Sequence, residues 1–364
     1  MTRRSDVDDS HPARVPTAWG PDALRSAYRG LGTQLREAAG WFATEVDARR
    51  ELARLGGRPL AGVALLGSGD AAFPGAVCAA IASPVSPVPV VAVGEGPLPA
   101  WIGGGALVVA VAPGDDDPQG TATRDVREAA ARGAAVVVIG GLGAPHLHGE
   151  LAATGAIVLE APWPVGHARA CTGLLAAPLL LLAQLAGVLP GASHAIAVAA
   201  DQALRRRAEL AWGQDGTAHC LARRLARTVP LFWGPSPIGA LAASRFKAAV
   251  NENAKSPAWS AGPRFAYEEA CGFGQNGDVT RQLVRLVVLC DDHGEAFGGG
   301  GIDVIEDLLG EVVAGIEVVR AEGEGPLAQL LDLVQVADAT SLELAALEGV
   351  DPGPTPAARL VLGS

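Results

Sequence analysis

Val63-Ala64-Leu65-Leu66-Gly67-Ser68-Gly69-Asp70-Ala71-Ala72 is the stretch that sets the fold. An unbroken apolar run stopped by a glycine reads as a strand buried on both faces. The segment behind it, Ala71 to Ile81, reads as a helix. The unit recurs along the chain. Val88–Val93, Ala106–Val111, Ala134–Ile139 and Ile157–Leu159 are further apolar runs, Thr121–Arg132 is helix-like, and a long helix runs from about Ala168 to Leu189. Buried runs alternating with helices indicate a parallel sheet covered on both sides, a doubly wound α/β unit.

The second half repeats this logic. Val229–Trp233, Leu283–Leu289 and Gly315–Val319 read as strands, and Ile238–Lys255, Ile302–Val313 and Leu327–Leu347 as helices. The expected organisation is a disordered tail over 1–18, a polar helical segment over 19–56 with Pro21 near a helix start, and a first α/β domain over 57–192. Connecting helices over 193–228 and a second α/β domain over 229–364 complete it.

With 364 residues the chain is long enough for two cores. Hydrophobic residues at 49% against 18% charged ones mark a globular protein. The net charge of −11 and the lack of a basic stripe beyond Arg205-Arg206-Arg207 argue against nucleic acid. The five cysteines show no CxxC pair, which suits reduced thiols in the cytoplasm. Met1–Val15 has no apolar segment of the signal-peptide kind, and Leu174–Leu189, interrupted by Pro178 and Gln184, is short for a membrane span.

Several motifs carry candidate chemistry. Gly67-Ser68-Gly69-Asp70-Ala71-Ala72 fits G-x-G-x-x-A, with Glu95 after the next strand, so a nucleotide site, a sugar-phosphate loop and a plain tight turn all fit it. Asp115-Asp116-Asp117 reads as a solvated loop, since neighbouring side chains cannot all face one metal ion. His146 and His148 read as a surface loop. Ser236, after Gly234 and before Pro237, reads as a helix cap. Asn251-Glu252-Asn253-Ala254-Lys255 closes that helix and sets a carboxylate between two amides near an ammonium. Such a carboxylate suits proton transfer; the plain alternative is a solvated helix end beside Lys247 or Lys255.

Asn251–Lys255 resembles the N-E-N-A-K helix end of the bifunctional phosphoglucose/phosphomannose isomerases, proteins built from tandem sugar-isomerase (SIS) domains. Arg169-Ala170 with Gly173 is similar to that family's P-R-A-x-x-G helix start. Pro263 through Glu269 to Gly272-Phe273 follows the frame of its P-E-x-N-H-N-E-x-x-G-F segment. Asp338-Ala339-Thr340-Ser341 with Gly349-Val350-Asp351-Pro352 is similar to its C-terminal segment. The resemblance spans roughly residues 60–358. It implies two tandem SIS-type doubly wound parallel-sheet domains flanked by helices, and interconversion of aldose and ketose sugar phosphates through an enediolate. Glu252 is then the base and Arg169 the stabilising cation. Tyr267 stands where the family has its ring-opening histidine, and Ala266 replaces the preceding asparagine. The family's phosphate loop falls on Ala112–Thr123, its first-loop serine on Ala71, and no lysine follows Lys255, which leaves a cation such as Arg359.

The expected substrate contacts are Gly67, Ser68, Gly69, Thr121, Thr123, Ser236 and Thr340. No cofactor, metal, nucleic acid or membrane is expected; a homodimer is. A catalytically degenerate protein that binds a sugar derivative or a partner is the alternative. A nicotinamide-dependent dehydrogenase is a third.

Overall fold

The computed structural model describes residues 20–112, 121–140, 145–163, 168–210, 213, 216–273, 275–292 and 301–355. Helices α1 (Pro21–Arg29), α2 (Leu31–Ala48) and α3 (Arg50–Ala53) come first. The first α/β set is β1 (Gly62–Leu66), α4 (Ala72–Ala82), β2 (Val90–Val93), β3 (Ala106–Ala112), α5 (Thr121–Ala131), β4 (Ala135–Gly140), α6 (Pro145–Ala152) and β5 (Ile157–Glu160). Helices α7 (Thr172–Leu185), α8 (Ala192–Glu209) and α9 (Thr217–Leu225) lead to the second set. That set is β6 (Val229–Trp233), α10 (Pro237–Asn253), β7 (Trp259–Ala261), α11 (Pro263–Gly272), α12 (Gly277–Leu283), β8 (Val284–Cys290), α13 (Gly301–Leu309), β9 (Gly315–Arg320) and α14 (Gly325–Glu348).

Both sheets are parallel throughout the described residues. The first has the order β2-β1-β3-β4-β5 and the second β7-β6-β8-β9. In the first, Val63 lies opposite Val90 on one side and Leu107 on the other. In the second, Leu231 lies between Trp259 and Leu286. Each sheet therefore starts in its middle and reverses direction, which opens a crevice at the carboxyl ends of its central strands.

The strand alternation assigns the layers. Val63, Leu65, Leu107 and Val109 of the first sheet share one core with Phe232, Val287 and Leu289 of the second, and with α2, α7, α8, α10 and α14 between them. Ala64, Leu66, Val108 and Val138 face the opposite way, towards α5 and α6. Leu231, Trp233, Leu286 and Val288 face outward with α11 and α13. The helices read as connectors over 193–228 thus sit at the centre: α8 packs against α14, α2 and α7.

Several expectations are corrected. The polar segment 19–56 forms three helices, and α2 is no polar cover: Leu31, Leu35, Ala38 and Phe42 are buried in the shared core. A Cβ on Gly32 would fall 2.6 Å from the carbonyl oxygen of Ala200, so α2 needs glycine there to approach α8. The helix expected over 168–189 is a 3-10 turn at Ala168–Ala170 followed by α7, which ends before the left-handed Gly187. His146 and His148 lie on α6 rather than in a loop, and their side chains fall outside the described residues. β7, α11 and α12 have no counterpart among the expected elements; β7 is three residues long with Trp259 exposed, too short to show an alternation.

Candidate active site

α10 begins at the carboxyl end of β6 and ends at Glu252 and Asn253. Ser236 starts it: its Oγ accepts a hydrogen bond from the main-chain N–H of Gly239 at 2.8 Å. A Cβ on Gly234 would fall 2.0 Å from the Ala240 nitrogen, so only glycine fits that turn. With a rise of about 1.5 Å per residue the helix carries Glu252 roughly 24 Å from Ser236. Glu252 thereby leaves the crevice of its own sheet and meets two turns of the first half. One is the 3-10 turn Gly69–Ala71 after β1, the other the 3-10 turn Ala168–Ala170 after β5, and the two pack against each other.

Arg169 is buried, with 3% of its surface exposed. Its Nη1 lies 3.5 Å from Glu252 Oε2, and its Nη2 donates to the carbonyls of Pro352 at 2.9 Å and Gly353 at 2.8 Å. Its Nε has no partner among the described residues. The turn that holds it is anchored from two sides. Gln34 of α2 donates to the Ala170 carbonyl at 2.9 Å and accepts from Gly173 N–H at 3.1 Å. Arg245 of α10 donates to the Arg169 carbonyl at 2.9 Å.

Arg245 is itself buried. It binds Asp338 of α14 through Nε at 3.0 Å and Nη2 at 2.7 Å, and lies 5.5 Å from the Phe73 ring centre and 5.9 Å from that of Tyr28. Next to it Asn253 donates to Ser341 Oγ at 2.8 Å and to the Tyr28 hydroxyl at 3.3 Å. Lys255, in the left-handed region at φ 54°, turns its Nζ to the main-chain carbonyls of Glu252 and Pro352. The plain reading of Glu252, a solvated end paired with a lysine, is therefore corrected: its carboxylate faces Arg169, and Lys255 bonds main chain instead.

These contacts tune the ionisable groups. Burial raises the Glu252 carboxyl above its ordinary value and Asp70 adds to the rise, against the opposing pull of Arg245 and Arg169. A half-buried carboxyl held up in this way is a candidate proton carrier. Burial pushes Asp338 up to about 6 despite Arg245. Tyr28 is pushed up to about 12, first by burial and then by Asp338, so it stays a neutral hydroxyl. Burial and Arg169 lower the Lys255 ammonium.

The expected residues distribute unevenly. Glu252 and Arg169 come together. Gly67, Ser68 and Gly69 form the loop leading into the Asp70 turn, and Gly67 is obligatory because a Cβ would fall 2.4 Å from the Ala71 carbonyl oxygen. A shallow surface depression opens beside this loop, lined by Leu66, Gly67, Ser68, Val93, Gly94, Glu95 and Asp125. Ser236 lies at the wrong end of α10 and spends its hydroxyl on the cap. Thr340 is fully buried on α14, its Oγ1 without a partner among the described residues, and Thr123 is buried on α5. Tyr267 and Thr121 lie on α11 and α5, but their side chains fall outside the described residues, as do Asp115–Asp117 and Arg359 altogether. Among the described residues no cluster of three or more metal-binding side chains forms. No described helix is long and apolar enough to cross a membrane.

Sequence reading missed Gln34, Tyr28 and Arg245. Arg245 left a signal: it stands seven residues before Glu252, two helical turns back on the same face.

The family described as bacterial phospho-glucose isomerase C-terminal SIS domain matches residues 214–360. The bifunctional phosphoglucose/phosphomannose isomerase of Caldicellulosiruptor bescii is 26% identical over 299 residues, covering 80% of this chain and 86% of that protein. Among solved structures, a putative phosphosugar isomerase from Clostridium difficile 630 superposes with a TM-score of 0.67 at 14% identity, covering 94% of this chain and 98% of the other. A glucose-6-phosphate isomerase like protein from Thermus thermophilus superposes with a TM-score of 0.54 at 22% identity, covering 80% and 85%. Two parallel sheets in tandem and the match of the second half agree with this likeness, and over most of its length the chain is similar to the bifunctional phosphoglucose/phosphomannose isomerases.

Proposed function

We propose that this protein interconverts aldose and ketose sugar phosphates, with glucose 6-phosphate, mannose 6-phosphate and fructose 6-phosphate as the substrate set. The observation that carries the reading is the pairing of a half-buried Glu252, its carboxyl raised by burial, with the buried Arg169 across 3.5 Å. In the proposed reaction Glu252 takes the proton from C2 of the open-chain aldose, and the electron pair moves towards the C1 carbonyl oxygen. Arg169 stabilises the resulting cis-enediolate, and Glu252 returns the proton to C1. Tyr267, or water, opens the sugar ring. Gly67–Gly69, Thr121, Thr123 and Thr340 are proposed around the sugar, and a homodimer is the proposed assembly. The five cysteines are free, which supports a reducing, cytoplasmic setting.

One observation favours the alternative, a binder without turnover: both Arg169 Nη2 bonds are given to main-chain carbonyls, leaving Nη1, which faces Glu252, and the buried Nε. A coupled assay of fructose 6-phosphate conversion to glucose 6-phosphate and mannose 6-phosphate decides. Turnover by the native protein, reduced about 10²–10⁴-fold in Glu252→Gln, is expected. No turnover by the native protein transfers the reading to the binder, and an undiminished Glu252→Gln rate removes Glu252 from the mechanism.

A further inference from the structure

Resting on the isomerase reading, we propose that Asp70 is a second catalytic carboxylate of this site, carrying the hydroxyl proton between O2 and O1 while Glu252 carries the carbon-bound one. An isomerisation moves two hydrogens, one between carbons and one between oxygens. A single base accounts for the first only.

The carboxylates around Arg169 are not equivalent. Asp338 is committed to Arg245 by bonds of 3.0 and 2.7 Å. Asp351 accepts the Gly353 N–H at 2.9 Å. Asp70 makes no hydrogen bond or ion pair with any described residue, yet it is only half-exposed. It sits in the 3-10 turn that packs directly against the turn of Arg169. Three residues on, the Phe73 ring lies 5.5 Å from the Arg245 guanidinium. Its charge is felt by Glu252, Arg245 and Asp338 alike, which places it inside the same cluster from an independent element.

An acidic residue at the start of α4 also suits the helix dipole. That role needs no place beside Glu252, and Asp70 caps no N–H of the helix. The preceding Gly67 and the left-handed Gly69, at φ 52°, bend the chain after β1 into the turn that packs against the turn of Arg169.

The proton transfers balance. Glu252 takes the C2 proton and the enediolate forms with its charge on O1, beside Arg169. The Asp70 carboxylate accepts the proton on O2 and hands it to O1, which moves the charge to O2. The O2 charge then closes to the C2 carbonyl as C1 takes its proton back from Glu252. Both carboxylates end as they began, and no further reactant is consumed.

The test compares the native protein with Asp70→Asn, Asp70→Glu and Glu252→Gln, all full length. Two rates are read on fructose 6-phosphate in deuterated water: exchange of the C1 hydrogen and formation of aldose phosphate. The expected result is that Asp70→Asn keeps exchange within about threefold and lowers aldose formation at least about tenfold, within the range of one acid–base group. Asp70→Glu, which keeps the carboxylate, restores part of that loss, and Glu252→Gln loses both rates. Equal losses of exchange and aldose formation in Asp70→Asn make Asp70 a structural or binding residue and overturn the proposal. Native aldose formation in Asp70→Asn, with Glu252→Gln inactive, overturns the Asp70 role and leaves the isomerase reading standing. A native protein with neither rate overturns both.

Discussion

At the scale of the residue, Glu252 is defined by what surrounds it rather than by its own side chain. Asp70 on the turn after β1, Arg169 on the turn after β5, Arg245 on its own helix and Lys255 just beyond it are the charged groups that face it. Burial and Asp70 raise its carboxyl, while the two arginines oppose them. A raised carboxyl is protonated sooner as the pH falls, and a protonated base cannot take the C1 proton of fructose 6-phosphate. The acid limb of hydrogen exchange at C1 of fructose 6-phosphate is therefore expected above pH 4.5, the ordinary value of a glutamate. Replacing Asp70 by Asn removes one upward contribution, so the limb is expected to move to lower pH in that variant. A pH profile of exchange in both proteins checks this, and a limb moving upward contradicts the charge relation drawn between the two carboxyls.

At the scale of the element, α10 and α14 are joined by the buried pair Arg245–Asp338, and the same guanidinium holds the carbonyl of Arg169. Removing one partner leaves a buried charge uncompensated, so Asp338→Ala is expected to destabilise the protein by about 3–5 kcal/mol in denaturant unfolding. The double change Arg245→Met, Asp338→Leu replaces the pair by apolar groups of similar volume and is expected to recover most of that loss. It does not restore the hydrogen bond to Arg169, so kcat is expected to stay low in the double variant. A double variant with native kcat would confine the pair to stability. The sequence showed part of this. Strands such as Val63–Leu66 and Ala106–Val111 were legible because burial on both faces leaves an unbroken apolar run. Glu252 and Arg169 were legible through short motifs at helix ends. β7 was not, being too short for a pattern, and neither was α2 as a central helix, because Leu31, Leu35, Ala38 and Phe42 form only a narrow apolar stripe and its close approach to α8 rests on Gly32. Gln34 and Arg245 escaped because they act on main-chain carbonyls far away in sequence, which no local spacing records.

At the scale of the whole molecule, the division into two α/β halves is one of chain order more than of packing. The inner faces of both sheets and the helices between them bury into one continuous core, while the outer face of each sheet carries a core of its own. The candidate site draws on this union: Glu252 comes from the second half, Arg169 and Asp70 from the first. Chains of this size often unfold in parts, domain by domain. Here the shared core argues for a single unit around the site. Leu333 of α14 is fully buried in it and belongs, by chain order, to the second half. Leu333→Ala is expected to cost about 2–5 kcal/mol through lost burial and the cavity left behind. Native-state hydrogen exchange can follow where that cost is felt, because amides of both sheets report separately. If the core is one cooperative unit, the amides of β3 in the first sheet and β8 in the second lose protection by the same amount. Loss confined to β8, with β3 unchanged, would show that the halves open independently and that Glu252 can part from Arg169 without disturbing the first sheet.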